Sequence, residues 1–184
     1  MSRMKIKSIE RTGDFRTLRI EPWKYEDQSI MWWRERHQLL PSRADAEKIG
    51  DLDQLRVLLE DMVITIVLES SEWFQYKFHA GFMWDLASVP QFARWAIDND
   101  DIYLMEAAIV HDANYSAHYF GDDPEAIEKT NELFRQMIRY RGKRFRAWLA
   151  HGAVNSVIGH GIYQHMPERR GEMTRRLVEF ATAR

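Results

Sequence analysis

Two neighbouring patterns in the middle of the chain constrain the fold most. Residues 63–68 (VITIVL) are an unbroken run of aliphatic and β-branched residues, and residues 73–78 (WFQYKF) alternate between aromatic and polar residues from Phe74 onwards. A short continuous run of this kind predicts a strand buried on both faces. The strict alternation predicts a second strand with Phe74, Tyr76 and Phe78 on one face. With the turn-forming Ser70 and Ser71 between them, we expect a β-hairpin.

Beyond Gly81 the apolar spacing changes to that of helices. A capping box with proline at Ser88–Val89–Pro90–Gln91 predicts a helix start, and residues 102–116 are apolar on almost every side, as in a buried helix. Asp123 and Pro124 begin a third helix that ends at Gly142, and a fourth begins near Phe145. The predicted fold class is therefore α+β, a small antiparallel β-sheet or hairpin followed by a bundle of about four to five helices.

The first part of the chain is less regular. Residues 4–9 and 15–20 predict two short strands, and the spacing of apolar residues from about 43 to 60 predicts a helix. We interpret residues 22–60 as a helical arm or flap whose Trp23, Trp32 and Trp33 either cap the core or dock onto a partner. The expected organisation is residues 1–60 as N-terminal strands and arm, 61–166 as the core domain, and 167–184 as a C-terminal helix.

Composition excludes several classes of protein. The 184 residues include no cysteine, which rules out disulfide scaffolds, thiolate zinc sites, iron–sulfur clusters and cysteine nucleophiles. The net charge of −2 gives no overall electrostatic attraction to nucleic acid, so we expect no nucleic-acid partner. No apolar run approaches the roughly 18 residues of a membrane span, and residues 1–7 do not resemble a signal peptide.

Polar residues inside apolar elements are the candidates for chemistry, because their burial costs free energy unless they are paired. His111 and Asp112 lie in the middle of the predicted buried helix, with Tyr115 one turn further on. Imidazole and carboxylate ligands suit zinc or manganese, so the pair indicates either a metal site or a buried structural network. Asn131 lies on the apolar stripe of the third helix and would reach Asp112 or Asp85, or make a single interhelical hydrogen bond.

Two further segments carry candidates. Asp85 and Ser88 lie where a strand gives way to a helix, a frequent place for functional groups, although a carboxylate there equally suits a structural turn. The basic segment 139–146, preceded by Arg135, is the local candidate for contact with phosphate; the alternative is a solvated helix end.

The two motifs together resemble domain-of-unknown-function family 1353, which tailed bacteriophages and prophages encode. The resemblance covers roughly residues 60–160 and rests on GFMWDLASVP at 81–90 and HDANY at 111–115. Asp85, Ser88, Pro90, His111, Asp112 and Tyr115 match the family pattern. Two positions depart from it, since Trp84 replaces the usual Thr and Asn131 the usual Asp.

The resemblance implies a phage or prophage protein, present in the virion or the host cytoplasm. The interpretation favoured by the aromatic content and by Asn131 is a virion component of the tail or baseplate, which contacts other virion proteins through the Trp-rich arm. The alternative is a metal-dependent hydrolase acting on the cell envelope or a phosphoester. In it, His111, Asp112 and Asp85 bind zinc or manganese, and Asp85, Ser88 and Tyr115 act in catalysis.

Overall fold

The structure is a computed structural model, and it describes residues 4–20, 44, 46–47, 55–85, 101–154, 163–165 and 171–183. In the part described, seven strands form two antiparallel sheets, and three helices of 11 residues or more pack with them. The helices are α1 (Ile102–Ala117), α2 (Pro124–Tyr140) and α3 (Arg144–Val154).

The larger sheet contains the predicted hairpin at its centre. Its four strands lie in the order β1 (Ile6–Thr12), β4 (Met62–Leu68), β5 (Trp73–Phe78) and β7 (Val178–Ala183). Strands β4 and β5 pair in antiparallel register with Thr65 opposite Gln75, which confirms the hairpin. The side chains of Phe74, Tyr76 and Phe78 are buried on one face as the alternation predicts.

The prediction that residues 63–68 are buried on both faces is wrong. Burial alternates along β4: Ile64, Ile66 and Leu68 are buried, whereas the residues between them are partly exposed. One face of β4 is therefore buried and the other is partly exposed, as is common in antiparallel sheets.

The smaller sheet has the order β2 (Thr17–Arg19), β3 (Leu55–Leu58) and β6 (Met83–Asp85). Residues 55–58 form strand β3 and are all buried. The prediction of a helix from about 43 to 60 is therefore wrong for these four residues. The turn between β1 and β2 needs a glycine, because Gly13 has φ +92° and a Cβ atom there would lie 2.6 Å from the Asp61 carbonyl oxygen.

Helices α1 and α2 begin and end close to their predicted positions. Asp101 caps α1 by accepting a hydrogen bond from the Tyr103 amide, and Asp123 caps α2 by accepting one from Ala126. The predicted inner stripe of α2, which is Ile127, Asn131, Phe134 and Ile138, is buried. Helix α1 packs on α2, which packs on α3, and β6 packs against α1.

The predicted fold class is wrong, because the bundle of four to five helices is not seen in the described residues. The principal layer is the sheet instead, and the chain returns to it at its C-terminal end. Residues 171–177 are helical, but Val178–Ala183 form β7 on the edge of β5, where Val178 is buried. Ser88, Pro90 and most of the Trp-rich arm (22–60) lie outside the described residues.

Candidate active site

Helix α1 carries three of the predicted site residues into the core. His111 and Asp112 are 2% and 1% exposed, and Tyr115 is equally buried. The spacing of four residues puts the Tyr115 ring on the same helix face as His111, with the ring centroids 4.1 Å apart. The structure therefore brings these three predicted residues together.

Asn131 of α2 joins this group through its side-chain carbonyl. Its Oδ1 accepts a hydrogen bond from the Tyr115 hydroxyl at 2.8 Å and lies 3.0 Å from His111 Nε2. Its Nδ2 donates to the Val154 carbonyl oxygen at 3.3 Å, which agrees with this orientation of the amide. Asn131 thus meets His111 and Tyr115 of α1, two partners that the sequence did not identify for it.

The Asn131 carbonyl determines which nitrogen of His111 carries a proton. A carbonyl oxygen only accepts hydrogen bonds, so His111 Nε2 must be the donor. In the neutral imidazole, Nδ1 then bears the lone pair. This nitrogen lies on the side of Asp112, at 3.6 Å from Asp112 Oδ1. A metal-binding or proton-accepting nitrogen and a buried carboxylate oxygen are therefore neighbours.

Aromatic rings enclose the group. Phe134 lies against His111 with 4.7 Å between ring centroids, and Tyr163 meets Tyr115 edge to face at 4.8 Å. Burial raises the pKa of Tyr115, so its hydroxyl stays protonated and remains a donor. The low-polarity surroundings strengthen the hydrogen bonds to Asn131.

Tyr163 is a site neighbour for which the sequence offered little signal. It is 1% exposed, its hydroxyl donates to the Gly121 carbonyl oxygen at 2.6 Å, and its ring stacks on His118. Burial raises its pKa to about 12. His118 belongs to a separate set of contacts, with the Tyr163 carbonyl oxygen and with the Asp122 carboxylate.

Of the motif at residues 81–90, the structure describes only the first part, as far as Asp85. Asp85 is the last residue of β6, and its backbone pairs with Leu55 of β3. Trp84 is fully buried and packs against Phe15 with 5.9 Å between the ring centroids, so it fills the core. Within the described ranges no group of three or more His, Asp or Glu side chains is placed to hold a metal ion.

A second buried charge was missed by the sequence analysis. Glu106 of α1 is 2% exposed and binds two guanidinium groups, Arg11 at 2.5 Å and Arg141 at 3.1 Å. The signal was a carboxylate among the apolar residues of the first half of α1. This cluster ties β1 and the end of α2 to α1.

Comparison with known proteins gives a family and no activity. No curated protein and no solved structure matches the chain. No helix in the described segments has the length and apolar character needed to cross a bilayer. The family model described as "Protein of unknown function (DUF1353)" matches residues 60–154 and so contains both β4–β5 and the His111 group. Because that match spans just over half of the 184 residues, the chain belongs to the DUF1353 family.

Proposed function

We propose that the protein is a phage-encoded, metal-dependent hydrolase that acts on an ester or phosphoester of the bacterial cell envelope. His111 Nδ1 and the Asp112 carboxylate bind the divalent cation. The observation that carries the proposal is the hydrogen bond between His111 Nε2 and Asn131 Oδ1. Metal-binding histidines characteristically donate their second ring N–H to an oxygen acceptor, which orients the ring and leaves the other nitrogen for the ion.

The distance between the two ligand atoms is compatible with one ion. His111 Nδ1 and Asp112 Oδ1 are 3.6 Å apart. A single divalent cation, with ligand bonds of about 2 Å, would be able to contact both atoms. Imidazole together with carboxylate suits zinc or manganese, in agreement with the absence of cysteine from the chain.

The remaining residues have supporting roles in this proposal. Asp85, the last residue of β6, is the third ligand. Ser88 orients the substrate. Tyr115 is a positioning residue, because its hydroxyl is engaged by Asn131 and holds the acceptor of His111 in place. The bound cation would lower the pKa of a water molecule and supply the nucleophile for hydrolysis.

The phage context rests on the motif resemblance, and the reaction class rests on the His111–Asp112 pair. Substitution of Asn for the usual family Asp at position 131 fits the proposal, since a neutral acceptor still selects the Nε2 tautomer. It supplies less negative charge to the imidazole, however, so we expect Asn131→Asp to tighten metal binding.

The test is a titration of the purified protein with Mn²⁺ and with Zn²⁺, followed by hydrolysis assays on purified envelope fractions and on bis-p-nitrophenyl phosphate. We expect one ion per chain and turnover that depends on it, both lost in Asp112→Asn. The matched control is Asp122→Asn, the same change at an exposed carboxylate that contacts His118. A folded Asp112→Asn variant that binds and turns over like the parent would refute the proposal.

A second candidate function is that of a non-catalytic virion component of the tail or baseplate. The observation that favours it is the burial of His111 and Asp112, which are almost inaccessible to a substrate in this structure. The same hydrogen bonds would then serve only to join α1 to α2. In this case the Trp-rich arm contacts other virion proteins, and the protein is found in purified particles at a fixed copy number. Absence from the particles would exclude this function.

A further inference from the structure

A small cleft lies between the edge of the larger sheet and the ends of two helices. It has a volume of about 210 Å³, and three cationic side chains line it: Lys5 before β1, Arg139 in the last turn of α2, and Arg144 at the start of α3. Gln136, Tyr140 and Glu69 contribute polar groups to the same lining. The chain thus gathers cations that are more than 130 residues apart in sequence.

Two of these cations have no carboxylate partner among the described residues. Within the described part of the chain, neither Arg139 nor Arg144 has a carboxylate within 4 Å, whereas Arg135 and Arg141 of the same region pair with Glu132 and Glu106. Lys5 and Glu69 form an exposed ion pair with each other at 3.4 Å. Three cations and one carboxylate therefore leave the cleft with a net charge of +2.

The positive charge is confined to the small cleft, because the lining of the adjoining cavity is negative overall. That larger space, of about 1100 Å³, is lined by the cations Lys5, Lys129 and Arg135 and by four glutamates, Glu69, Glu72, Glu128 and Glu132. Its net charge is −1. An anion that approaches this side of the molecule is consequently attracted to the smaller cleft and repelled from its neighbour.

We infer that the small cleft binds a single phosphate group carried by a small phosphorylated molecule. Guanidinium groups match the geometry of phosphate oxygens and form charge-assisted hydrogen bonds to them, and Arg139 and Arg144 approach from two different helices. The start of α3 adds the partial positive charge of a helix N-terminus. The volume is below the roughly 300 Å³ at which pockets for drug-sized ligands begin, so the cleft suits one phosphate with few attached atoms.

This site is distinct from the His111 group, since none of its lining residues belongs to that group. The inference therefore does not depend on the proposed hydrolase activity. It assigns a role to the basic segment 139–146, in which Arg141 is already engaged by Glu106.

The experiment is isothermal titration calorimetry of the full chain with inorganic phosphate and with glycerol 3-phosphate, at low ionic strength. We expect one saturable site per chain for both probes and an affinity that falls with added salt. The double variant Arg139→Ala/Arg144→Ala should weaken binding by at least about tenfold, since each lost charge-assisted contact is expected to cost about that factor. The matched control is Arg175→Ala/Arg176→Ala, which removes the same charge from two exposed residues of the 171–177 helix.

Each outcome decides the inference. Weakened binding in the Arg139/Arg144 variant and unchanged binding in the Arg175/Arg176 variant would support it. Equal weakening in both variants would show only a response to net charge and would overturn it. Absence of saturable phosphate binding by the parent protein would also overturn it, as would binding restricted to an oligonucleotide with many phosphates. Thermal unfolding of both variants establishes that they are folded.

Discussion

His111 Nε2 lies 3.0 Å from Asn131 Oδ1, and this contact joins α1 to α2 in the core. The same oxygen accepts the hydroxyl of Tyr115 at 2.8 Å. One neutral side-chain carbonyl therefore satisfies two buried donors from the preceding helix. In either candidate function this oxygen is what orients the imidazole.

The first prediction concerns the loss of this acceptor. Asn131→Ala leaves two buried donors without a partner and opens a small cavity, so the free energy of unfolding should fall by about 3 kcal/mol. Urea denaturation followed by fluorescence measures the change. Lys129→Ala, at an exposed position of the same helix, should change stability by less than about 0.5 kcal/mol. A loss as small as the control's would mean that the two donors find other acceptors.

Some of these relationships were predictable from the sequence and others were not. The hairpin follows from two local patterns, and both α1 and α2 follow from their spacing and from Asp–Pro at 123–124. The inner position of Asn131 was also predictable. Its partner was not, because the contact depends on how one helix is rotated against the next, which a stripe of apolar residues specifies only approximately.

Strand β7 could not be predicted from the sequence, for a different reason. Residues 168–184 are amphipathic and basic, which favours a helix when they are considered alone. Only the alternation of Val178 and Phe180 against Glu179 indicates a strand, and it is short. The edge of β5, against which Phe180 lies opposite Tyr76, decides the outcome. Pairing with an exposed strand edge in the tertiary structure here outweighs the local preference for a helix.

The second prediction tests the buried carboxylate of Glu106. Glu106→Gln keeps the shape but removes the charge that faces Arg11 and Arg141, whose side chains are 27% and 24% exposed. We expect a loss of about 2 kcal/mol in the free energy of unfolding, because breaking one side of a largely buried ion pair leaves uncompensated charge. Glu10→Gln, at an exposed position on β1, is the control and should be close to neutral. A neutral Glu106→Gln would contradict a stabilising role for the charge.

The third prediction concerns the hydroxyl of Tyr76. It is fully buried, burial raises its pKa and the neighbouring Asn114 side chain lowers it, but no hydrogen bond of normal geometry reaches this hydroxyl in the described structure. Tyr76→Phe should therefore leave stability unchanged or increase it by up to about 1 kcal/mol, since no bond is lost and less polar surface is buried. Tyr163→Phe is the matched control and should lose about 1 kcal/mol, because its hydroxyl donates to Gly121. Chemical denaturation compares the two, and a clear loss in Tyr76→Phe would contradict the prediction.

The fourth prediction is that the stability of the fold depends on pH through His79, which contacts Glu179 of β7. His79 Nδ1 lies 3.0 Å from Asp61 Oδ2, and His79 Nε2 lies 2.8 Å from Glu179 Oε1, so a protonated imidazole links the turn before β4 to the last strand. The hydrogen bonds to Glu179 and Asp61 raise the pKa of His79. A backbone hydrogen bond from Ala80 lowers the pKa of Asp61, and the Lys77 ammonium lowers that of Glu179.

These directions define the pH window in which the link stabilises the fold. The contribution of His79 is fully present below its unfolded pKa of about 6.5 and is lost as the pH rises through the higher folded value. The contributions of Asp61 and Glu179 are present above their unfolded pKa values and are lost as the pH falls through the lower folded ones. We expect His79→Gln to reduce the melting temperature at pH 6 and to have less effect at pH 9. Because the carboxylates are 60% and 62% exposed, the difference should shrink at about 1 M salt. An equal reduction at both pH values would contradict the link.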